Sequence, residues 1–131
     1  MSLTKIDHVA IEVASVNAFI EKFVGTGGLK LLRRGTATAT GVPIAMLGDR
    51  TGMKIELIEN PNATSVTFLH IAFSADNVDT SIAEAKDAGW SVLRGPNFIP
   101  PAKAKSAFLV KDDVEFQILE YEPDSPDLQT W

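Results

Sequence analysis

The sequence predicts an α+β fold made of two tandem βαβββ modules. The first observation is an internal repeat, because the only two histidines, His8 and His70, lie about half the chain apart at matching points of two similar strands. The second is alternation in both strands, where every second residue is apolar, which is typical of a pleated strand with one buried face. The third is a pair of similar closing strands, Ile-Glu-Leu-Ile-Glu and Phe-Gln-Ile-Leu-Glu, at equivalent points of the two halves.

The length of the chain, 131 residues, suits a single domain. Within it we expect module one over about residues 4–61, module two over about 65–123 and a C-terminal tail over 124–131. The polar stretch Asn-Pro-Asn-Ala-Thr-Ser between the modules has the chemistry of a linker.

Composition and charge exclude several classes of partner. The net charge is −5, which argues against nucleic acid and anionic membranes, since both need clustered basic residues. The pair Arg33-Arg34 is expected on a solvated face. No apolar run approaches the roughly 20 residues that span a bilayer, and no secretory signal is recognised. Because the chain has no cysteine, disulfides and thiolate sites are excluded. With these classes set aside, we expect a cytoplasmic protein whose partner is a small molecule.

Module one is expected to open with a strand over residues 6–13. A helix follows, with Ser15 or Asn17 as its cap and apolar residues at helical spacing up to Phe23, and the glycines at 25, 27 and 28 end it. The remaining strands of the module are expected over residues 29–34, 42–47 and 53–59.

Module two repeats the same order of elements. A strand over residues 66–74 is followed by a helix from Val78 to Gly89, and then by strands over 90–93, 106–110 and 114–121. The segment 95–101 contains three prolines and is expected to be a stiff apolar loop.

Four polar side chains share one face of the predicted sheet. In each closing strand the apolar residues take the face covered by the helix, so Glu56 and Gln117 take the opposite face. By the same alternation, His8 and His70 lie on that face too.

These motifs resemble the vicinal oxygen chelate superfamily, which includes glyoxalase I, methylmalonyl-CoA epimerase, extradiol dioxygenases and the fosfomycin and bleomycin resistance proteins. The similarity is carried by His-Val-Ala-Ile and His-Ile-Ala-Phe in the opening strands and by Ile-Glu-Leu and Phe-Gln-Ile in the closing strands. It implies that the mixed sheets roll into a U-shaped, barrel-like cleft. It also implies that each of these four strands sends one ligand to a divalent metal, the four being His8, Glu56, His70 and Gln117.

The chemistry of these four residues fits that implication. Two imidazoles, a carboxylate and an amide oxygen suit Zn, Ni, Co, Fe or Mn and leave positions open for water or substrate. Gln117 departs from the family, which usually has a carboxylate at that closing strand. A register slip would present Glu115 instead, and a bulge would present Glu120.

The ligand pattern is most similar to that of glyoxalase I. The resemblance therefore implies a metal-dependent lyase or isomerase that acts on a small carbonyl compound or 2-oxo thiol adduct by proton transfer, with metal stabilisation of an enediolate. Glu56 would be ligand and base, or Glu12 would supply the base. The alternatives are a non-catalytic, ligand-sequestering protein like the bleomycin resistance proteins, a methylmalonyl-CoA-type epimerase and an extradiol dioxygenase.

Other residues are expected to contact the substrate. Phe98 belongs to the apolar segment that would wall the cleft, and Arg94 would hold a substrate carboxylate through a bidentate contact. The resemblance also implies a homodimer, since exposed sheet edges and an apolar rim favour pairing.

Overall fold

The structure is a computed structural model that describes residues 3–25 and 27–128, so the last three residues of the predicted tail lie outside the described part. Within these residues, eight strands and two α-helices follow one another in the order that the repeat predicts, with short π-helical and 3-10 turns between some of them. In chain order the elements are β1 (Leu3–Val13), α1 (Val16–Ile20), a π-helical turn (Glu21–Gly25), β2 (Lys30–Thr36), β3 (Pro43–Gly48), β4 (Lys54–Glu59), β5 (Thr67–Ala75), α2 (Val78–Asp87), β6 (Ser91–Ile99), a 3-10 turn (Pro100–Ala102), β7 (Ala104–Lys111), β8 (Val114–Tyr121) and a 3-10 turn (Pro126–Leu128).

All eight strands belong to one mixed sheet, in the order β2-β3-β4-β1-β5-β8-β7-β6. Within each half the opening strand pairs in parallel with the closing strand, β1 with β4 and β5 with β8. The two opening strands pair with each other antiparallel and join the halves at the centre of the sheet. The predicted α+β fold with two βαβββ repeats is confirmed.

The sheet is strongly curled. Gly35 in edge strand β2 lies against Pro101, which follows the opposite edge strand β6, and a Cβ on residue 35 would lie 2.6 Å from the side chain of Pro101. Only glycine allows this approach without displacing the proline. One edge of the sheet therefore comes close to the other, and the concave face forms a cleft.

The helices cover the convex face of the sheet. Val16 and Ile20 of α1 pack on Leu57 of β4, while Val78 and Ile82 of α2 belong to a second cluster under the other half of the sheet. That cluster also contains Ala85, Ala107, Leu109, Phe116 and Ile118.

A glutamate side chain caps the start of each helix in the same way. The carboxylate of Glu59 accepts a hydrogen bond from the backbone N–H of Val16 at 3.0 Å, and that of Glu120 accepts one from Val78 at 2.8 Å. Each glutamate ends the closing strand of its own half, so it satisfies a helix donor that would otherwise be unpaired. Glu56 and Gln117, which face the cleft, each lie three residues before these anchors, an odd separation that puts them on the opposite face of the strand.

One predicted element is wrong: the expected apolar loop over residues 95–101 is strand as far as Ile99. Pro96 lacks an N–H and would interrupt a central strand, but β6 is an edge strand, where proline is tolerated. The pairing with β7 also shifts register on either side of Arg94, so an irregularity accommodates the proline.

The first helix is shorter than its pattern predicts. Its α-helical part ends at Ile20, and the chain continues to Gly25 as a π-helical turn. Phe23 of this turn stacks on Phe19 of α1, with 4.5 Å between ring centroids. Neither this helix nor any other among the described residues is long and apolar enough to cross a bilayer.

A candidate metal centre in the cleft

The four predicted ligands form two rows across the central strands. Glu56 and His70 both pair with Ala10, one from β4 and the other from β5. Likewise His8 and Gln117 both neighbour Ala72. Both alanines are fully buried, and their small side chains leave room for the larger neighbours to lean over them towards a common point.

Three of these side chains converge on the concave face. One ligand atom from each of His8, Glu56 and His70 lies within 4.8 Å of the others. Nε2 of His8 lies 3.7 Å from Oε1 of Glu56. Bound to one zinc ion, two ligand atoms would lie roughly 3 Å apart, so small side-chain movements bring these atoms to coordination distance.

Gln117 is aimed at the same place. Its amide nitrogen donates to Oγ of Ser106 at 2.8 Å, which turns the amide oxygen towards His70. Nε2 of His70 donates to that oxygen at 3.2 Å. The oxygen and the imidazole nitrogen thus point at one another, and both can turn to a shared cation.

His8 is held by a neighbouring carboxylate. Its Nδ1 donates to Oδ2 of Asp7 at 2.7 Å, which fixes the ring and leaves Nε2 pointing at Glu56. Within the described residues, Nε2 is buried and has no hydrogen-bond partner. Burial alone would lower the pKa of His8, but the contacts with Asp7 and Glu56 outweigh it and raise the pKa to about 9.

Glu56 is paired with an arginine from β2. Nη2 of Arg33 donates to Oε2 of Glu56 at 2.7 Å, while Oε1 is left facing His8. Burial would raise the pKa of Glu56, but the close imidazole of His8 and the charge and hydrogen bond of Arg33 lower it to about 2. The carboxylate is therefore fully ionised at neutral pH.

The donors fit a divalent cation. A buried, unpartnered imidazole nitrogen facing an ionised carboxylate is the arrangement that a cation would complete, since each of these atoms then gains a ligand bond. Burial lowers the pKa of His70, so its imidazole is neutral at pH 7, as a metal ligand must be. The contact between His8 and Asp7 is the carboxylate–histidine pair that commonly supports metal-bound imidazoles.

Glu56, His70 and Gln117 line a cleft of about 660 Å³, within the range usual for small-molecule sites, whereas His8 is buried and does not line it. Phe108 forms part of its wall, with its ring edge-on to His70 at 5.1 Å between centroids and with the guanidinium carbon of Arg94 at 3.9 Å from its own centroid. Of the described residues that line the cleft, Arg94 is the only Lys or Arg. The predicted contact residues Arg94 and Phe98 both line it, together with Ala37, Thr38, Ala39, Thr40, Ile44, Ile58, Leu69, Asn97, Ile99, Ser106 and Glu115.

Three alternative residues from the sequence analysis fall in different places. Glu115 lines the cleft on the same strand as Gln117, two residues before it. Glu120 caps α2 on the convex face. Glu12 accepts a hydrogen bond from Asn60 at 3.1 Å and does not line the cleft. The pairing of Gln117 with Ala72 continues without a shift, so the strand shows no register slip.

A buried network of charges next to the centre was missed from the sequence. Asp7 accepts hydrogen bonds from Lys54, Ser74 and Tyr121 as well as from His8. Arg33, expected on a solvated face, is 8% exposed. Strict alternation along β1 would place Asp7 on the face opposite His8, but the register shift between Ile6 and His8 disturbs it. The sequence pattern therefore did not indicate that Asp7 contacts His8.

Comparison with known proteins gives a family and a set of similar structures. Residues 7–110 match the model of a family described as the glyoxalase/bleomycin resistance protein/dioxygenase superfamily. No curated protein matches the chain significantly in sequence.

Solved structures are similar over nearly the whole chain. A hypothetical protein from Bacillus halodurans C-125 is 27% identical, with 92% of this chain and 96% of that chain covered and a TM-score of 0.74. A variant of methylmalonyl-CoA epimerase from Streptomyces coelicolor, in complex with 2-nitronate-propionyl-CoA, is 26% identical, with 92% and 99% covered and a TM-score of 0.76. The epimerase from Mycobacterium tuberculosis, at 18% identity, 93% and 91% coverage and a TM-score of 0.81, is similar in fold alone.

Proposed function

Because the chain belongs to the glyoxalase/bleomycin resistance protein/dioxygenase superfamily, whose members commonly bind a divalent metal, we propose that it is a metal-dependent isomerase that moves a proton on the carbon next to a carbonyl group. The observation that carries this proposal is the convergence of His8, Glu56 and His70, with Nε2 of His8 buried and unpartnered among them.

In this proposal the chain supplies four donors for the cation, with the amide oxygen of Gln117 as the fourth. A divalent cation held there supplies a Lewis acid that stabilises negative charge developing on a carbonyl oxygen. Asp7 and Arg33 orient two of the donors, His8 and Glu56, through bonds of 2.7 Å each. Phe108 supplies an apolar wall of the cleft beside His70.

The surroundings of Glu56 favour the role of ligand over that of base. One of its oxygens is occupied by Arg33 and the other faces His8, and its pKa of about 2 makes it a weak proton acceptor at pH 7. Among the described residues that line the cleft, Glu115 is the carboxylate besides Glu56, and it forms an ion pair with Arg94 at 3.8 Å. We therefore assign proton transfer to Glu115 and metal binding to Glu56.

The substrate class we favour is an acyl thioester, because the Streptomyces coelicolor epimerase is similar over 92% of this chain and binds a propionyl-CoA derivative. A thioester carbonyl acidifies the neighbouring C–H, which is the bond that an epimerase breaks and remakes. The half-exposed Arg94, which lies beside Phe108 at the wall of the cleft, offers a contact for a substrate carboxylate.

A second candidate is isomerisation of a 2-oxo thiol adduct, as in glyoxalase I. It is favoured by the glutamate on the first closing strand, since the resemblance assigns glyoxalase I a ligand of this kind there. Both reactions need a base within hydrogen-bond reach of the carbon acid, so they share the same chain residues and differ in substrate.

Exchange of the substrate proton tests the proposal directly. The protein is loaded separately with Co²⁺, Ni²⁺, Zn²⁺ and Mn²⁺ in D₂O, and deuterium uptake is followed by NMR for methylmalonyl-CoA and for the hemithioacetal of methylglyoxal. We expect uptake at the carbon next to the carbonyl in at least one substrate, and its loss with EDTA.

Two matched variants separate the roles of the cleft carboxylates. Glu56→Gln should lose metal binding, whereas Glu115→Gln should bind metal as the parent does and lose turnover. Metal binding without deuterium uptake in either substrate would reject the isomerase and favour a protein that sequesters its ligand, the alternative expected from the resemblance to bleomycin resistance proteins.

A further inference from the structure

The C-terminal segment that follows β8 returns to the centre of the molecule. The backbone N–H of Glu122 donates to the carbonyl of Lys103 at 2.9 Å, and Oγ of Ser125 donates to the carbonyl of Ala102. These bonds fasten the segment beside the 3-10 turn Pro100–Ala102. Asp127 is thereby buried, with 2% of its surface exposed.

Asp127 contacts two buried cations from different strands. Arg33 of β2 donates to its carboxylate through Nε at 2.9 Å and through Nη2 at 3.3 Å. Lys54 of β4 donates through Nζ to its backbone carbonyl at 2.9 Å. A planar guanidinium held by two hydrogen bonds to one carboxylate has little freedom to turn.

Each of these cations also holds a group of the candidate metal centre. The same Nη2 of Arg33 donates to Glu56 at 2.7 Å. Nζ of Lys54 donates to Asp7 at 2.9 Å, and Asp7 in turn fixes the ring of His8. Asp127 is therefore connected to Glu56 through Arg33. It is connected to His8 through Lys54 and Asp7.

We propose that Asp127 is a positioning residue of the metal centre, which holds Arg33 and Lys54 so that Glu56 and His8 present one donor atom each to the cation. The proposal rests on the metal site of the proposed function. It assigns a role in that site to the C-terminal segment, which has no counterpart in the βαβββ repeat.

Charge gives the physical reason. Arg33 carries a buried positive charge close to the point where a divalent cation would bind, and its carboxylate partners are Asp127 and Glu56. Without the charge of Asp127, the guanidinium would depend on Glu56 alone and would compete with the cation for that carboxylate. Asp127 offsets the charge and leaves Oε1 of Glu56 available to the cation.

Asp127→Asn tests this assignment, because it keeps the shape of the side chain and removes its charge. The matched control is Asp124→Asn in the same segment, where the carboxylate is largely exposed and contacts Lys103. Zinc affinity is measured by competition with a chromophoric chelator, and the geometry of the site by the visible absorption spectrum of bound Co²⁺. Thermal unfolding of the metal-free proteins compares their folding.

We expect zinc affinity to fall by roughly tenfold in Asp127→Asn, the lower scale for the loss of an outer-shell contact to a metal site, together with an altered Co²⁺ spectrum. Asp124→Asn should change neither. Parent-like affinity and spectrum in a folded Asp127→Asn would overturn the assignment. Failure of the parent protein to bind either ion would instead reject the metal site itself.

A second variant applies if Asp127→Asn does not fold. Arg33→Lys keeps the positive charge but cannot bridge Asp127 and Glu56 with one rigid fork. We expect it to show the same loss of zinc affinity and a changed Co²⁺ spectrum. Unchanged binding in Arg33→Lys would contradict the proposed route from Asp127 to Glu56.

Discussion

Nε2 of His8 and Oε1 of Glu56 face each other at 3.7 Å on the concave face of the sheet, and the imidazole nitrogen has no hydrogen-bond partner among the described residues. The separation is too long for a good hydrogen bond, yet both atoms are pointed at the same space. The pKa of His8, raised to about 9, means that a proton occupies this space at neutral pH. A divalent cation that binds here replaces that proton, and the imidazole and the carboxylate are already aligned for it.

The first prediction concerns His70. His70→Ala removes one of two imidazoles from the donor set, and we expect zinc affinity to fall by at least roughly tenfold, the lower scale for a perturbed metal shell. Phe108→Leu is the control, since Phe108 contacts the ring of His70 but offers no donor atom. Isothermal titration with zinc measures both, and equal affinities in His70→Ala and the parent would rule His70 out as a ligand.

The second prediction concerns Gln117. Its amide oxygen is neutral, so Gln117→Glu lowers the net charge of the occupied site by one unit, and we expect tighter zinc binding. Glu115→Gln, on the same strand and also lining the cleft, should leave zinc affinity unchanged. If Gln117→Glu bound zinc no more tightly than the parent, Gln117 would be a neighbour of the site and not a ligand.

The four candidate ligands could be placed on one face from the sequence because this needed only strand parity and the internal repeat. His8 and Gln117 flank Ala72, and Glu56 and His70 flank Ala10. This symmetric arrangement follows when two similar halves pair through their opening strands. The same signals gave the α+β fold. The homodimer and the cytoplasmic location rest on resemblance and composition, and they stay predictions.

The residues that support the ligands could not be placed in this way. The contact between Arg33 and Asp127 joins positions 94 residues apart. Asp127 lies in the C-terminal segment, outside the two repeats, so the repeat offers no equivalent pair that would have drawn attention to this contact. Arg33 stands beside Arg34, which is exposed and bonds to Asn17, so its sequence neighbour suggested a solvated face. Long-range ion pairs of this kind depend on where the C-terminal segment packs, which alternation does not specify.

The third prediction is a loss of stability of the metal-free protein at alkaline pH. The pKa of His8 is raised from an ordinary value of 6.5 to about 9, so its protonation stabilises the folded state fully below pH 6.5 and progressively less as the pH rises through 9. A difference of this size corresponds to roughly 3 kcal/mol of unfolding free energy.

Urea unfolding in the presence of a chelator, at pH 6 and at pH 9.5, measures this loss. His8→Asn provides the comparison, since it cannot take up the proton and should show a smaller difference between the two pH values. Equal pH dependence in the parent and His8→Asn would show that the contacts of His8 with Asp7 and Glu56 do not raise its pKa.

The last prediction distinguishes the roles of residues on the two faces of β8, the closing strand of the second half. Oε1 of Glu120 accepts the N–H of Val78 at the start of α2, so Glu120→Ala leaves a helix donor unpaired, and we expect a loss of about 1 kcal/mol of unfolding free energy. Zinc affinity should not change, because Glu120 lies on the opposite side of the sheet from His70. Glu59→Ala, the equivalent change in the first half, should behave in the same way. Weaker zinc binding with unchanged stability in Glu120→Ala would mean that Glu120 contributes to the metal site, as the bulged alternative for this strand requires.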